Sequence, residues 1–170
     1  MTFVLRLLAP LLFASIVVAE PVEGWYRSPA LHGGQVVFTS EGDLWRVPVE
    51  GGVAVRLTSH PADESQAGFS PDGRRIAFVA AYEGGSDVYE MDVDGGAPRR
   101  LSFDGGRVFL QGYAPSGEVI YASENVAGPT LTRMLRLVDP GSGRTRTLPL
   151  ADANEGALSA DGSQLWFVRF

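Results

Sequence analysis

The chain has 170 residues, 45% of them hydrophobic and 20% charged, with 21 glycines, 11 prolines and no cysteine. That apolar content suffices for a packed core, and the glycine and proline load speaks for many turns rather than for disorder. A net charge of -6 argues against a nucleic-acid partner, and the lack of cysteine removes thiol catalysis, disulfides and zinc–thiolate sites together.

Met1 to Ala19 reads MTFVLRLLAPLLFASIVVA, with Arg6 its only charge and an apolar run from Leu7 to Val18. Val17 and Ala19 supply small residues where a signal peptidase reads, and Glu20-Pro21 opens a polar stretch. The run is shorter than the roughly 20 residues a membrane-spanning helix needs. A cleaved secretory signal over 1–19 is therefore expected. The mature chain, 20–170, is then periplasmic or secreted, with no stable membrane insertion after cleavage.

Four similar units follow. The first, near 27–60, opens with Leu31-His-Gly-Gly-Gln-Val-Val-Phe38 and continues through Asp43-Leu-Trp-Arg-Val-Pro-Val-Glu-Gly-Gly52 to Val55-Arg-Leu-Thr58. The second, near 66–104, repeats this order as Phe69-Ser-Pro-Asp-Gly-Arg-Arg-Ile-Ala-Phe78, Asp87-Val-Tyr-Glu-Met-Asp-Val-Asp-Gly-Gly96 and Pro98-Arg-Arg-Leu-Ser102. The third, near 108–149, carries Tyr113-Ala-Pro-Ser-Gly-Glu-Val-Ile-Tyr121, then Leu135-Arg-Leu-Val-Asp-Pro-Gly-Ser-Gly143 and Arg144-Thr-Arg-Thr-Leu148. The fourth, near 156–170, shows only Leu158-Ser-Ala-Asp-Gly-Ser-Gln-Leu-Trp-Phe167.

The turn glycines Gly34, Gly73, Gly117 and Gly162 are 39, 44 and 45 residues apart, the length of one four-stranded propeller blade. In Ser70-Pro71-Asp72-Gly73, proline presets the second turn position, aspartate tolerates the third, and glycine accepts the left-handed backbone that follows. The next strand places Ile76 and Phe78 on one face and Ala77 and Val79 on the other. Both faces are apolar, as a blade between two neighbours requires. The predicted fold is all-β: a β-propeller of four-stranded antiparallel blades, incomplete, with about three blades and the start of a fourth. Closure takes at least four blades. The expectation is thus a piece of a longer propeller, with an arc closed by dimerisation as the alternative and self-association of the isolated chain in either case.

Repeated Phe-Ser-Pro-Asp-Gly turns followed by a strand, Gly-Gly and Arg-Leu-Ser/Thr resemble the TolB and tricorn class of propellers, also termed WD-like repeats. The stretch Tyr26-Arg-Ser-Pro-Ala-Leu-His-Gly-Gly34, Val36-Val-Phe-Thr-Ser-Glu-Gly-Asp-Leu-Trp-Arg-Val47 and Arg56-Leu-Thr-Ser59 is similar to the amino-terminal blade of tricorn proteases. Glu64-Ser65, Glu83-Gly84 and Asp87-Val-Tyr89 extend the match. The resemblance implies a propeller that filters peptides toward a serine active site far beyond position 170, so no catalytic residue carries over. It implies peptides or unfolded proteins as partners. A TolB-like periplasmic scaffold that binds envelope proteins without hydrolase activity is the alternative, and a prolyl-oligopeptidase-type propeller a third.

Chemistry within the chain is sparse. His60, Asp63 and Ser65 could spell a triad, but on one loop with no nucleophile elbow or oxyanion site; a solvated inter-blade loop is the expectation. His32 lies in the degenerate first turn. No histidine spacing suits a metal, and Asp92-Val-Asp94-Gly95-Gly96 lacks the further ligands of a calcium loop. No cofactor is expected. Arg99-Arg100, Arg144 and Arg146 read as solvated charges guarding outer edges, and Trp25, Trp45 and Trp166 as inter-blade core. Inner strands are predicted around 28–31, 66–69, 109–113 and 156–158. Ser65, Gln66, Gln111 and Glu155 border them and are the channel-lining candidates.

Overall fold

The computed structural model describes residues 24–124, 132–150 and 152–169; the expected leader at 1–19 lies outside them. The described residues form strands and turns with no helix. The first sheet contains β1 (Arg27–His32), β2 (Gln35–Ser40), β3 (Asp43–Pro48) and β4 (Val55–Arg56). The second holds β5 (Glu64–Phe69), β6 (Arg75–Ala80), β7 (Asp87–Asp92) and β8 (Arg99–Arg100). The third comprises β9 (Val108–Tyr113), β10 (Val119–Glu124), β11 (Arg133–Val138) and β12 (Thr145–Thr147), and β13 (Glu155–Leu158) pairs with β14 (Leu165–Val168). Each sheet is an antiparallel meander in chain order, and the sheets do not close into a ring. They are the blades of an incomplete propeller.

Turn chemistry sets the register. Ser70 Oγ bonds Asp72 Oδ1 at 2.6 Å, Asp72 Oδ1 accepts the Arg74 N–H, and Ser70 Oγ accepts the Arg75 N–H at 2.9 Å. One aspartate and one serine thereby satisfy the donors that enter β6. The fourth unit repeats the device: Ser159 Oγ bonds Asp161 Oδ1 at 2.6 Å, and Ser159 Oγ accepts from Gln164 N at 3.0 Å. In the third, Ala114 and Ser116 replace the pair; the backbone bonds from Gly117 N to Ala114 O, 2.9 Å, and from Ala114 N to Glu118 O, 2.8 Å, remain, and Ser116 Oγ accepts from Glu118 N at 3.5 Å.

The seams hold the molecule together. Ile76, Phe78 and Ala80 pack with Val37 and Leu44 between the first two blades. Ala77 and Val79, from the opposite face of β6, pack with Val119, Tyr121 and Val138 of the third. Alternation along one strand therefore serves two interfaces. Phe78 is fully buried, so Phe78→Ala would cost about 3–5 kcal/mol. Ile120 and Leu137 meet Leu158, and Ala122 and Leu135 meet Leu165, extending the stack to the fourth unit.

Two tryptophans depart from expectation. Trp25 is 87% exposed and Trp166 65% exposed. Trp166 pairs with Ala157, on the face of β14 opposite to Leu165, which packs against the third blade. Strand membership does not decide burial; the covered face does. Trp45 is half-buried, its indole donating to Ser40 O at 3.1 Å.

Candidate functional site

The inner strands β1, β5, β9 and β13 converge. A Cβ on Gly68 would meet Gly112 Cα at 3.5 Å. Each of the first three contains a β-bulge. At the bulge in β5, Gln66 takes a left-handed backbone, φ 55°, uncommon for a residue with a side chain. The strain has a use: Gln66 Oε1 accepts the N–H of Leu110 on the next blade at 2.9 Å. Gln111 does the same one blade on, accepting from Gly156 N at 3.0 Å while donating to Phe109 O at 3.1 Å. Two of the four residues singled out in the sequence thus stitch one inner edge to the next.

The other two face clefts. Ser65 lines a cleft of about 320 Å³ with Asp63, Gln66, Ser86, Arg107 and Phe109. The Arg107 guanidinium lies 5.4 Å from the centre of the Phe109 ring and that of Arg133 3.9 Å, a geometry in which the aromatic face attracts both cations. Arg133 is also 3.6 Å from Glu124. Glu155, exposed, lines a second cleft of about 380 Å³ with Gln111, Trp166 and Phe167. The four candidates therefore fall into two groups rather than one site. A larger cleft, about 660 Å³, opens on the turn side between the second and third blades. Its buried Glu90 is engaged by Arg99 at 3.0 Å and by the Tyr113 hydroxyl at 2.9 Å, so the space holds a structural ion pair rather than free chemistry.

The paper triad does not assemble. His60 Nδ1 accepts the Ala62 N–H at 3.0 Å and its ring lies 4.2 Å from that of Tyr82. No hydrogen bond joins His60, Asp63 and Ser65 among the described residues. His32 packs on Phe69, ring centres 5.7 Å apart. Asp92 caps its own turn and Asp94 pairs with Arg46 at 2.6 Å.

The arginines expected on solvated outer edges do more. Arg100 reaches the buried Asp87 at 2.6 Å and lies 4.5 Å from the Phe103 ring centre. Ser102 Oγ donates to Asp87 Oδ1 and accepts from Val88 N, both at 2.9 Å. The first blade has the same set, Asp43, Arg56 and Thr58, with Arg56 bonded to Asp43 and Leu44 N donating to Thr58 Oγ1 at 2.8 Å. Asp, Arg and hydroxyl recur 44 residues apart at all three positions. That shared offset is the sequence signal for these buried residues; the repeated strands align them, but only the fold brings the three side chains together. Among the described residues the third blade lacks the set; there Arg146 makes a two-pronged bond to Glu118 at 3.0 and 2.9 Å.

Comparison with known proteins bears on this architecture. The tricorn protease homolog 1 of Streptomyces coelicolor is 30% identical over 142 residues, covering 82% of this chain and 13% of that protein. A protein of Sulfurisphaera tokodaii provisionally named a tricorn-like protease N-terminal subunit is 24% identical over 146 residues, covering 82% of this chain and 73% of that one. Among solved structures, the tricorn protease superposes with a TM-score of 0.70 at 22% identity, over 83% of this chain and 15% of that one. TolB from Acinetobacter baumannii gives 0.71 at 22% identity, over 86% and 38%. The chain thus spans about an eighth of its Streptomyces relative. The model of the tricorn protease N-terminal β-propeller domain matches residues 23–170, and the chain belongs to that family.

Proposed function

We propose that this chain is non-catalytic propeller from an exported tricorn-like serine peptidase, where it meets extended peptides before they reach a catalytic region elsewhere in a longer protein. The observation that carries the reading is the Ser65–Arg107–Phe109 cleft on inner strands whose edges are already occupied. With Leu110 N and Gly156 N taken by glutamines, a passing peptide finds side chains rather than a free edge to pair with. It can then be held weakly and released.

Fluorescence anisotropy of a labelled, unstructured peptide against the full chain tests this. Ser65→Trp fills the cleft and is expected to weaken binding about tenfold, about 1.4 kcal/mol. Unchanged affinity, or no binding by the parent chain at about 1 mM peptide, a level worth only about 4 kcal/mol, overturns it. The TolB-like alternative is supported by the outward-facing Trp166. It predicts a stoichiometric complex with a folded envelope protein, indifferent to Ser65→Trp and lost on Trp166→Glu. Export is tested by intact-mass analysis of the exported product, which is expected to begin at Glu20.

A further inference from the structure

Glu64 opens β5 and is fully buried between the first and second blades. Its backbone N–H bonds Gly42 O at 2.7 Å, on the first blade's hairpin. Its carboxylate accepts from the Tyr82 hydroxyl at 2.7 Å and from Thr58 Oγ1 at 3.0 Å. Thr58 belongs to the repeated Asp–Arg–hydroxyl set, and comparison of the two copies is informative. In the second blade, Ser102 gives its proton to Asp87. In the first, Thr58 gives its proton to Glu64, and Asp43 Oδ1 is left buried with no hydrogen-bond donor. The second blade meets no such competition, because Val108 stands at the start of β9 where Glu64 starts β5.

We infer that Glu64 is a proton-operated latch on the seam between the first two blades, and that its protonation tightens this seam. One hydroxyl proton cannot serve two buried carboxylates. When Glu64 binds a proton, its new O–H donates to Thr58 Oγ1, which has a lone pair to spare beside the Leu44 N–H. The threonine proton is then released for the other carboxylate of the set, Asp43, whose buried Oδ1 has no hydrogen-bond partner while Glu64 is ionised. One of two neighbouring negative charges is then gone. Ionisation reverses the flip and leaves Asp43 held through Oδ2 by Arg56 alone, its buried Oδ1 unpartnered, a costly state for an acceptor.

The surrounding charges fit this reading. Burial raises the Glu64 carboxyl above the ordinary glutamate value, Asp43 adds to the rise, and the bonds from Tyr82 and Thr58 and the proximity of His60 oppose it. Arg56, the partner of Asp43, is half exposed. Asp63 abuts Gly42 on the same hairpin. A carboxyl raised on folding favours the folded state most below its unfolded pKa, and that contribution fades as pH rises through the folded value. The seam is therefore firmer in mild acid and looser toward neutrality. Since Ser65 and Gln66 follow Glu64 directly, the wall of the cleft moves with it, whatever the cleft binds.

Urea denaturation of the full chain from about pH 8 down to the ordinary glutamate range, about pH 4.5, reads the effect as a pH slope. The midpoint is expected to rise as pH falls, and Glu64→Gln, which keeps a donor toward Thr58, is expected to abolish the rise; His60→Ala is expected to retain it. Carbon NMR of the Glu64 carboxyl is expected to show titration above the ordinary glutamate range, lowered toward that range by Asp43→Asn. The same slope in Glu64→Gln, or a carboxyl that titrates at or below the ordinary range, overturns the inference. Should Glu64→Gln not fold, the NMR titration of the unmodified chain decides alone.

Discussion

At Gly73 two demands coincide. Its φ of +69° lies in the left-handed region, and a Cβ there would collide with the His32 ring of the preceding blade. Gly162, the equivalent position in the fourth unit, has φ +71° but open space around it. Gly162→Ala therefore isolates the backbone cost, about 1–2 kcal/mol. Gly73→Ala is expected to cost about 1 kcal/mol more through overpacking, and His32→Ala in that background is expected to recover the excess. A double-mutant cycle by chemical denaturation measures the difference. Equal costs at the two glycines would show that the imidazole swings aside freely, against its packing on Phe69. The sequence revealed these glycines as turn residues, because a Pro-Asp-Gly turn dictates its own backbone. It did not reveal His32 against the turn, because that contact joins residues of different blades.

Among the elements, the inner strands combine what was legible with what was not. Their positions followed from turn spacing, and polar residues beside them pointed to Ser65, Gln66, Gln111 and Glu155. The use of those residues did not follow. A glutamine facing a channel and a glutamine capping the neighbouring blade look alike in sequence; only the bulge and the positive φ of Gln66 aim it at Leu110 N. Amide exchange separates the roles. Gln66→Ala is expected to speed exchange at Leu110 and Gln111→Ala at Gly156, each with a loss of about 1 kcal/mol. Protection that persists in either variant would mean that another group caps the amide. The same limit explains Arg100, expected in solvent: the pattern of β8 shows an outer edge, while the carboxylate waiting beneath it comes from β7.

For the molecule as a whole, the described residues of the fourth unit present an apolar face. Trp166 and Val168, 65% and 43% exposed, share the face of β14 turned away from the third blade. Such faces favour association. Sedimentation of the isolated chain is expected to show a mass that rises with concentration, and Trp166→Glu is expected to suppress the rise without lowering the melting temperature. A single species of monomer mass at every concentration would count against this. The all-β class and blade repeat were visible from 40-residue periodicity, since each unit carries its own turn signals. Which faces stay open was not, because that depends on the ordering of units in space.

The glutamine stitch has a consequence for how such chains change over generations. Each bond reaches only from one unit to its successor, second to third and third to fourth, so each of these junctions depends on two neighbouring units alone. A shift of a few residues within a unit would instead misalign two junctions at once. Length should therefore vary among descendants of this architecture in whole-blade steps.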